Sequence, residues 1–149
     1  MVLVRATTND FDTVAVLVDE YHRHEGITVD TGVRDAALRL LLGRNSAAGQ
    51  LYLVKDTVGS SVGYVALCFG FSIECGGRDA FIDELYLKPN ARGQGIGTAV
   101  LKEVKGIAKN AGVVTLHLEV AHNNLRAKRL YAAAGFESRE QFHLMSLSL

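Results

Sequence analysis

The sequence predicts one α/β domain on a mixed α+β sheet, with elements in the order βααβββαβαβ. Three observations predict it. Apolar strand patterns and amphipathic helical patterns follow one another along most of the chain. A glycine-rich stretch, NARGQGIGTAV at 90–100, separates a strand pattern from a helical one, so the strands flanking that helix are expected to be parallel, joined by a right-handed crossover. The 149 residues, 48% apolar and 21% charged, suit a single domain with a substantial core and contain no internal repeat, low-complexity run or linker.

MVLVRA reads as an opening strand, and TTND supplies cap residues for a first helix whose stripe runs Phe11, Val14, Val18 and Tyr21 until Gly26 stops it. A second helix is expected over Val33 to Leu42, burying Ala37, Leu38, Leu41 and Leu42. QLYLVKD and SSVGYVALCFGF read as antiparallel strands joined by a turn at Thr57 to Ser60. Gly76 and Gly77 turn the chain into the strand AFIDELYL, which Pro89 ends because it has no N–H for a ladder. The helix after the glycines carries Ile96, Val100, Val104, Ile107 and Ala108 on one side and stops at Gly112. VVTLHLEV is the next strand, NNLRAKRLYAAAG the next helix and FHLMSLSL a closing strand, with room for another short strand around Glu137 to Arg139.

Sixteen basic residues balance sixteen acidic ones, which gives no support to a broad nucleic-acid or membrane surface. Cys68 sits in an apolar run and Cys75 in a turn, without the spacing of a disulfide framework. The N-terminal residues lack the apolar stretch of a signal peptide, and no apolar run reaches membrane-spanning length. The expectation is a soluble, cytoplasmic protein.

Gly93, Gly95 and Gly97 stand where a helix should be starting, at a cost in helix stability. The first turn of a helix has free N–H groups on the positive end of its dipole, and alternate positions without Cβ atoms let an anion approach them. A phosphate or pyrophosphate is the expected guest. The mononucleotide P-loop requires a lysine after its last glycine, whereas Gly97 is followed by Thr98. The dinucleotide fingerprint requires a different glycine spacing and an earlier position in the chain, so it fits poorly.

LYLKPNARGQGIGTAVL resembles the acetyl-CoA-binding segment of the GNAT superfamily of N-acetyltransferases, with Arg92, Gly95 and Gly97 on its Arg/Gln-x-x-Gly-x-Gly/Ala pattern. NNLRAKRLYAAAGFE resembles that family's second conserved segment, with Asn124, Ala127, Tyr131, Gly135 and Phe136 in place. The resemblance covers essentially the whole chain and is strongest from Phe81 to Glu137. It implies a GNAT-like acyl-CoA N-acyltransferase fold in which a parallel strand pair splays around acetyl-CoA as co-substrate. The implied cofactor contacts are Leu85, Tyr86 and Leu87 for the pantetheine arm, and Arg92, Gly93, Gln94, Gly95, Ile96, Gly97 and Thr98 for the pyrophosphate, with Arg92 adding charge or holding the loop. Asn124, Ala127, Lys128 and Tyr131 complete the set.

Tyr131 matches the family tyrosine that protonates the departing thiolate. Glu84 is expected as the base or water-positioner, with Asp83 second, because an alkyl amine with a pKa of about 10 must lose a proton before attacking. Strand alternation sends these two carboxylates to opposite faces. Tyr21, His22, Glu25 and Asp83 are candidates for the acceptor pocket, and no metal site or cysteine nucleophile is expected. The implied activity is transfer of an acetyl group to a primary amine of a small molecule by direct attack. A protein lysine or N-terminal acetyltransferase is the alternative, as is an acyl-CoA-binding sensor or subunit without turnover. No nucleic-acid or membrane partner is expected, and the family resemblance implies a homodimer through the late strands.

Overall fold

Thr7 turns the chain from strand to helix. It follows β1 (Val2–Arg5), and its N–H donates to the Asp10 carboxylate at 2.9 Å, closing a capping box over a short 3₁₀ turn that leads into α1 (Phe11–Glu25). Gly26, left-handed at φ 69°, ends α1, and Asp30 caps α2 (Thr31–Leu42). Then follow β2 (Gly49–Lys55), β3 (Ser61–Ser72), β4 (Gly77–Leu87), α3 (Ile96–Asn110), β5 (Thr115–Leu118) and α4 (Leu125–Ala133). These elements belong to a computed structural model, which describes residues 1–44 and 46–149. The described chain forms two compact units, Met1–Glu119 and Val120–Leu149.

In the first unit the strands lie in sequence order, β1-β2-β3-β4-β5, antiparallel except for the parallel pair β4–β5 that α3 connects. Leu51, Leu53, Tyr64, Ala66 and Tyr86 form one core with Val14, Leu17 and Val18 of α1 and Leu38 and Leu42 of α2. Val54, Val65 and Leu67 alternate with those positions and are also buried, as is the stripe Val100, Leu101, Val104 and Ala108 of α3. Both faces of the sheet are therefore apolar, the pattern of a sheet with helices on each side.

One residue changes the alternation in β4. Ala66 pairs with Glu84 but Leu67 pairs with Ile82, so Asp83 is an extra residue on β4, a β-bulge. Ile82 thus shares the face of Leu67, while Glu84, two residues on, shares the face of Ala66 under α1. An unbroken strand would have placed Ile82 and Glu84 on the same face.

The fold class and element order stand as expected up to α4, with differences at particular residues. Ala37 is exposed, because the buried side of α2 is the narrower pair Leu38 and Leu42. β4 starts earlier, at Gly77, and β5 keeps only four residues. Neither 142–149 nor 137–139 is a strand, and Phe142, Leu144, Met145, Leu147 and Leu149 are exposed. An apolar alternation specifies a face, but a strand also needs a ladder partner, and among the described residues 142–149 has none.

Gly63 shows how closely β3 and β4 approach: a Cβ there would lie 2.2 Å from the Tyr86 carbonyl oxygen. That oxygen is backbone and cannot swing away. Gly63→Ala is expected to cost about 1–3 kcal/mol, lowering the melting temperature by several degrees in a thermal melt. An unchanged melt would contradict this packing.

Candidate active site

The site is built along β4 and the loop that follows it. Pro89 opens a short turn, Pro89–Ala91, and the chain then passes through Gly93 (φ 81°) and Gly95 (φ 77°), both left-handed. Gly95 is the N-cap of α3, and a Cβ built on it meets nothing within 4 Å. Its backbone angle, then, is what calls for glycine. Gly97 lies inside α3, whose first backbone bond runs from the Ala99 N–H to the Gly95 carbonyl at 3.1 Å. The N–H groups of Ile96, Gly97 and Thr98 therefore precede the helical ladder, and no side chain caps this end. Arg92 folds back: its Nε donates to the Leu87 carbonyl at 2.8 Å, and its guanidinium stands 5.6 Å from the Tyr86 ring centre. Arg92 thereby ties the loop to the end of β4. Gln94 braces the same loop through the Asn90 carbonyl at 2.8 Å.

The parallel pairing of β4 with β5 runs only from Asp79–Thr115 to Ile82–Leu118. β4 continues to Leu87 with β3 as its neighbour on one side, so Leu85, Tyr86 and Leu87 have no strand on the other edge among the described residues. That is the expected divergence of the two strands. The bulge at Asp83 lies where it begins.

Glu84 sits at the head of this open edge. Its Oε1 is 2.6 Å from His22 Nε2, and its Oε2 accepts from the Tyr64 hydroxyl at 2.7 Å. The His22 and Glu84 side chains are 14% and 19% exposed, enough to be reached from outside yet mostly walled in. Tyr64 is fully buried, and burial, reinforced by Glu84, holds its phenol well above the usual tyrosine range. It therefore remains a hydrogen-bond donor. The ring of Tyr21 lies 5.9 Å from those of His22 and Tyr86 and 6.4 Å from that of Tyr64. Tyr86 donates to Glu20 at 3.3 Å, a second tie between α1 and β4.

Asp83 is exposed at the bulge. Desolvation by the surrounding chain, then Glu84 and Glu119, raise its carboxyl above the ordinary aspartate range, while His22 opposes them. Asp83 and Glu84 thus stand in different surroundings, Asp83 exposed at the bulge and Glu84 half-buried on the face of Ala66. Burial first, with Asp83 and Glu84 adding, pushes the Cys68 thiol up to about 11, so it stays protonated at neutral pH.

Of the acceptor-pocket candidates, His22 meets Glu84 and the Tyr21 ring lies beside His22, while Asp83 is exposed next to Glu84 in the strand. Glu25 instead is exposed, 4.0 Å from His24. Tyr64 was missed by sequence reasoning, because a tyrosine in an apolar strand reads as core. His117 pairs with Asp79 at 3.6 Å and stacks on Phe81, with Cys75 Sγ at 4.0 Å. No group of three or more His, Cys, Asp or Glu side chains among the described residues is arranged to hold a metal ion.

In the second unit, Asn124 is the N-cap of α4, its Oδ1 accepting from the Ala127 N–H at 3.1 Å. The Asn-x-x-Ala spacing is that of a helix cap. Tyr131 lies in the last turns of α4, its ring edge-on to Phe136 at 5.9 Å, and Lys128 is exposed.

Comparison with known proteins agrees with this architecture. The profile of the Acetyltransferase (GNAT) family matches residues 17–136. A thialysine N-epsilon-acetyltransferase of Bos taurus is 40% identical over 74 residues, covering 50% of this chain and 43% of that enzyme. This chain thus aligns with less than half the length of that relative. An uncharacterized N-acetyltransferase of Bacillus subtilis is 27% identical over 138 residues, 93% of this chain and 91% of that protein. Among solved structures, an integron cassette protein from the mobile metagenome of Cole Harbour Salt Marsh superposes with a TM-score of 0.84 at 31% identity, covering 99% of this chain and 90% of that one. A probable acetyltransferase superposes at 0.85 with 22% identity, over 100% and 98%, a likeness of fold.

A carboxyl raised in the folded state binds its proton more readily there than in the unfolded chain. Its contribution to stability therefore falls as pH rises from the ordinary aspartate value through the raised one, and the cost persists at neutral pH. Asp83→Asn removes that cost. Its melting temperature at pH 7 is expected to exceed the wild type by about 1–2 °C, with the gain shrinking toward pH 4. A lower melting temperature at pH 7 would contradict the assignment.

Proposed function

The chain belongs to the acetyltransferase (GNAT) family of acyltransferase enzymes, and on that premise we propose that it moves an acetyl group from acetyl-CoA to a primary amine of a small molecule by direct attack. The two compact units act in this reading as one acetyltransferase domain, since the family match runs across their boundary. The observation that carries the reading is the order of features on one strand. The glycine loop and the start of α3 follow the end of β4, the unpaired edge spans Leu85 to Leu87, and Glu84 stands at its other end. At about 3.3 Å per residue, Glu84 and Leu87 are about 10 Å apart along the strand, so a linear donor held by its phosphates at the loop would present its far end near Glu84.

Each residue then has a task. The N–H groups of Gly95, Ile96, Gly97 and Thr98, with Gly93 and Gln94 shaping the loop, hold the pyrophosphate at the positive end of α3. Arg92 keeps the loop in place. Backbone groups of Leu85, Tyr86 and Leu87 bind the pantetheine arm, and one N–H facing the acetyl oxygen contributes about 3 kcal/mol in the transition state. Glu84 takes a proton from the ammonium of the acceptor, directly or through water. The freed nitrogen lone pair forms the C–N bond on the carbonyl carbon, the C–S bond breaks, and the nitrogen's second proton passes to solvent water, which also returns to Tyr131 the proton it gives and takes the one held by Glu84. Tyr131 supplies the proton that the departing thiolate takes up. Asn124, Ala127 and Lys128 complete the cofactor contacts, with Asn124 acting through the cap of α4. The protonated Cys68 thiol leaves direct attack as the simpler route than an acyl-enzyme.

Asp83 beside Glu84 suits a cationic acceptor, and the thialysine acetyltransferase relative supports an amine on a small molecule. Two free thiols fit a reducing cytosol, and no helix among the described residues is long and apolar enough to cross a membrane.

Calorimetry with acetyl-CoA, NAD and ATP tests the donor. Micromolar binding of acetyl-CoA alone is expected, whereas binding of NAD in its place would overturn the reading. Glu84→Gln is expected to lower kcat by about 10²–10³-fold with acetyl-CoA affinity unchanged. Full turnover by that variant would remove Glu84 from the chemistry.

A further inference from the structure

We propose that His22 and Tyr64 are positioning residues that fix the direction in which Glu84 accepts a proton. The proposal rests on the acetyl-transfer reading for its consequences and on geometry of its own for its basis. Glu84 has two carboxylate oxygens, and each has a separate donor on a separate element: His22 Nε2 from the last turn of α1 at 2.6 Å, and the Tyr64 hydroxyl from β3 at 2.7 Å. A carboxylate offers about four acceptor sites, so these two bonds leave about two, aimed by the plane that the donors impose.

Both donors are themselves held. Tyr64 has no exposed surface, and its ring meets Tyr21 edge-on and Tyr86 at a tilt. His22 is 14% exposed, beside Tyr21 and one turn before the left-handed Gly26 that closes α1. An ionised carboxylate only accepts, so the proton in the His22 bond is assigned to Nε2. A glutamate side chain free to rotate loses rotamer entropy when it is ordered, and here that ordering precedes arrival of the acceptor. Hydrogen bonds to a charged group are among the stronger ones in a protein, and two of them on separate oxygens hold one arrangement against the alternatives. The bulge at Asp83 places Glu84 on the face where both donors wait.

The same arrangement couples α1 to the base. Elements that reach the site from opposite sides of the core meet at one carboxylate, so the position of the α1 end sets the aim of Glu84. His22 and Tyr64 are expected to affect turnover through Glu84 and to leave the binding of acetyl-CoA, which the loop after β4 holds, untouched.

The test is a double-mutant cycle with a spectroscopic readout. His22→Ala is expected to lower kcat about 10–100-fold, with the acetyl-CoA dissociation constant within about twofold of wild type. His22→Gln, whose amide nitrogen can take the place of Nε2, is expected to restore most of the loss. In a Glu84→Gln background, His22→Ala should add less than about a twofold further loss, because its effect passes through Glu84. Tyr64→Phe, close in shape and without the hydroxyl, is expected to lower kcat about tenfold, and serves as the second probe should His22→Ala fold poorly. Independently of activity, the Nε2–H proton of His22 should give a downfield resonance in wild type that disappears in Glu84→Ala. Retained kcat in both His22→Ala and Tyr64→Phe, a full additive loss in the cycle, or no such resonance in wild type would each overturn the proposal. Wild-type protein that shows the resonance but acetylates no amine would instead count against the acetyl-transfer reading alone.

Discussion

A single extra residue in β4 decides where the carboxylate of this site can be. The ladder between β3 and β4 is in register on both sides of Asp83 but offset across it, so Ile82 packs with one core and Glu84 with the other. Side chains on a strand alternate without exception unless the backbone is interrupted, and no rotamer of Glu84 could carry it through the sheet. Because of the bulge, Glu84 meets the end of α1 and the hydroxyl of Tyr64. The parallel pairing with β5 ends at the same point. One backbone irregularity thus coincides with both the placement of the carboxylate and the opening of an unpaired strand edge.

The rest of the first unit reads as support for that point. α1 is fixed by the core under it, with Val14, Leu17 and Val18 buried, and delivers His22 and the Tyr21 ring to the site. β3 delivers Tyr64 from inside the core, where its hydroxyl would be costly to leave without an acceptor. Glu84 supplies that acceptor, so the pair satisfies a buried donor and orients a carboxylate together. At the far end of the open edge, Arg92 ties the glycine loop back to the Leu87 carbonyl. The loop therefore holds its shape through bonds to β4 itself.

Much of this was legible in the sequence, and the parts that were not share a physical reason. The glycine loop was readable because a left-handed backbone at Gly95 and a helix start at Ile96 are local requirements with a local signature. The helix cap at Asn124 is local in the same sense. Glu84 stood out as a carboxylate in an apolar strand. Its partners did not, because the bulge is set by the register between two strands, and neither strand's own pattern records it. Tyr64 was hidden for a related reason: a fully buried aromatic in β3 looks like core, which it also is. His22 was noticed at the end of α1, but the bond to Glu84 joins residues sixty-two positions apart. The strand expected at 142–149 failed in the opposite direction, where a clear apolar pattern lacked a partner strand.

The central claim is that an acetyl group passes from acetyl-CoA to an amine on this chain. The most direct measurement incubates the protein with acetyl-CoA and a panel of small primary amines, and follows both products by mass spectrometry and thiol release. Equimolar acetylated amine and free CoA, formed by wild type and lost in Glu84→Gln, is the predicted result. Thiol release without an acetylated amine, or no product with any amine of the panel, would contradict it.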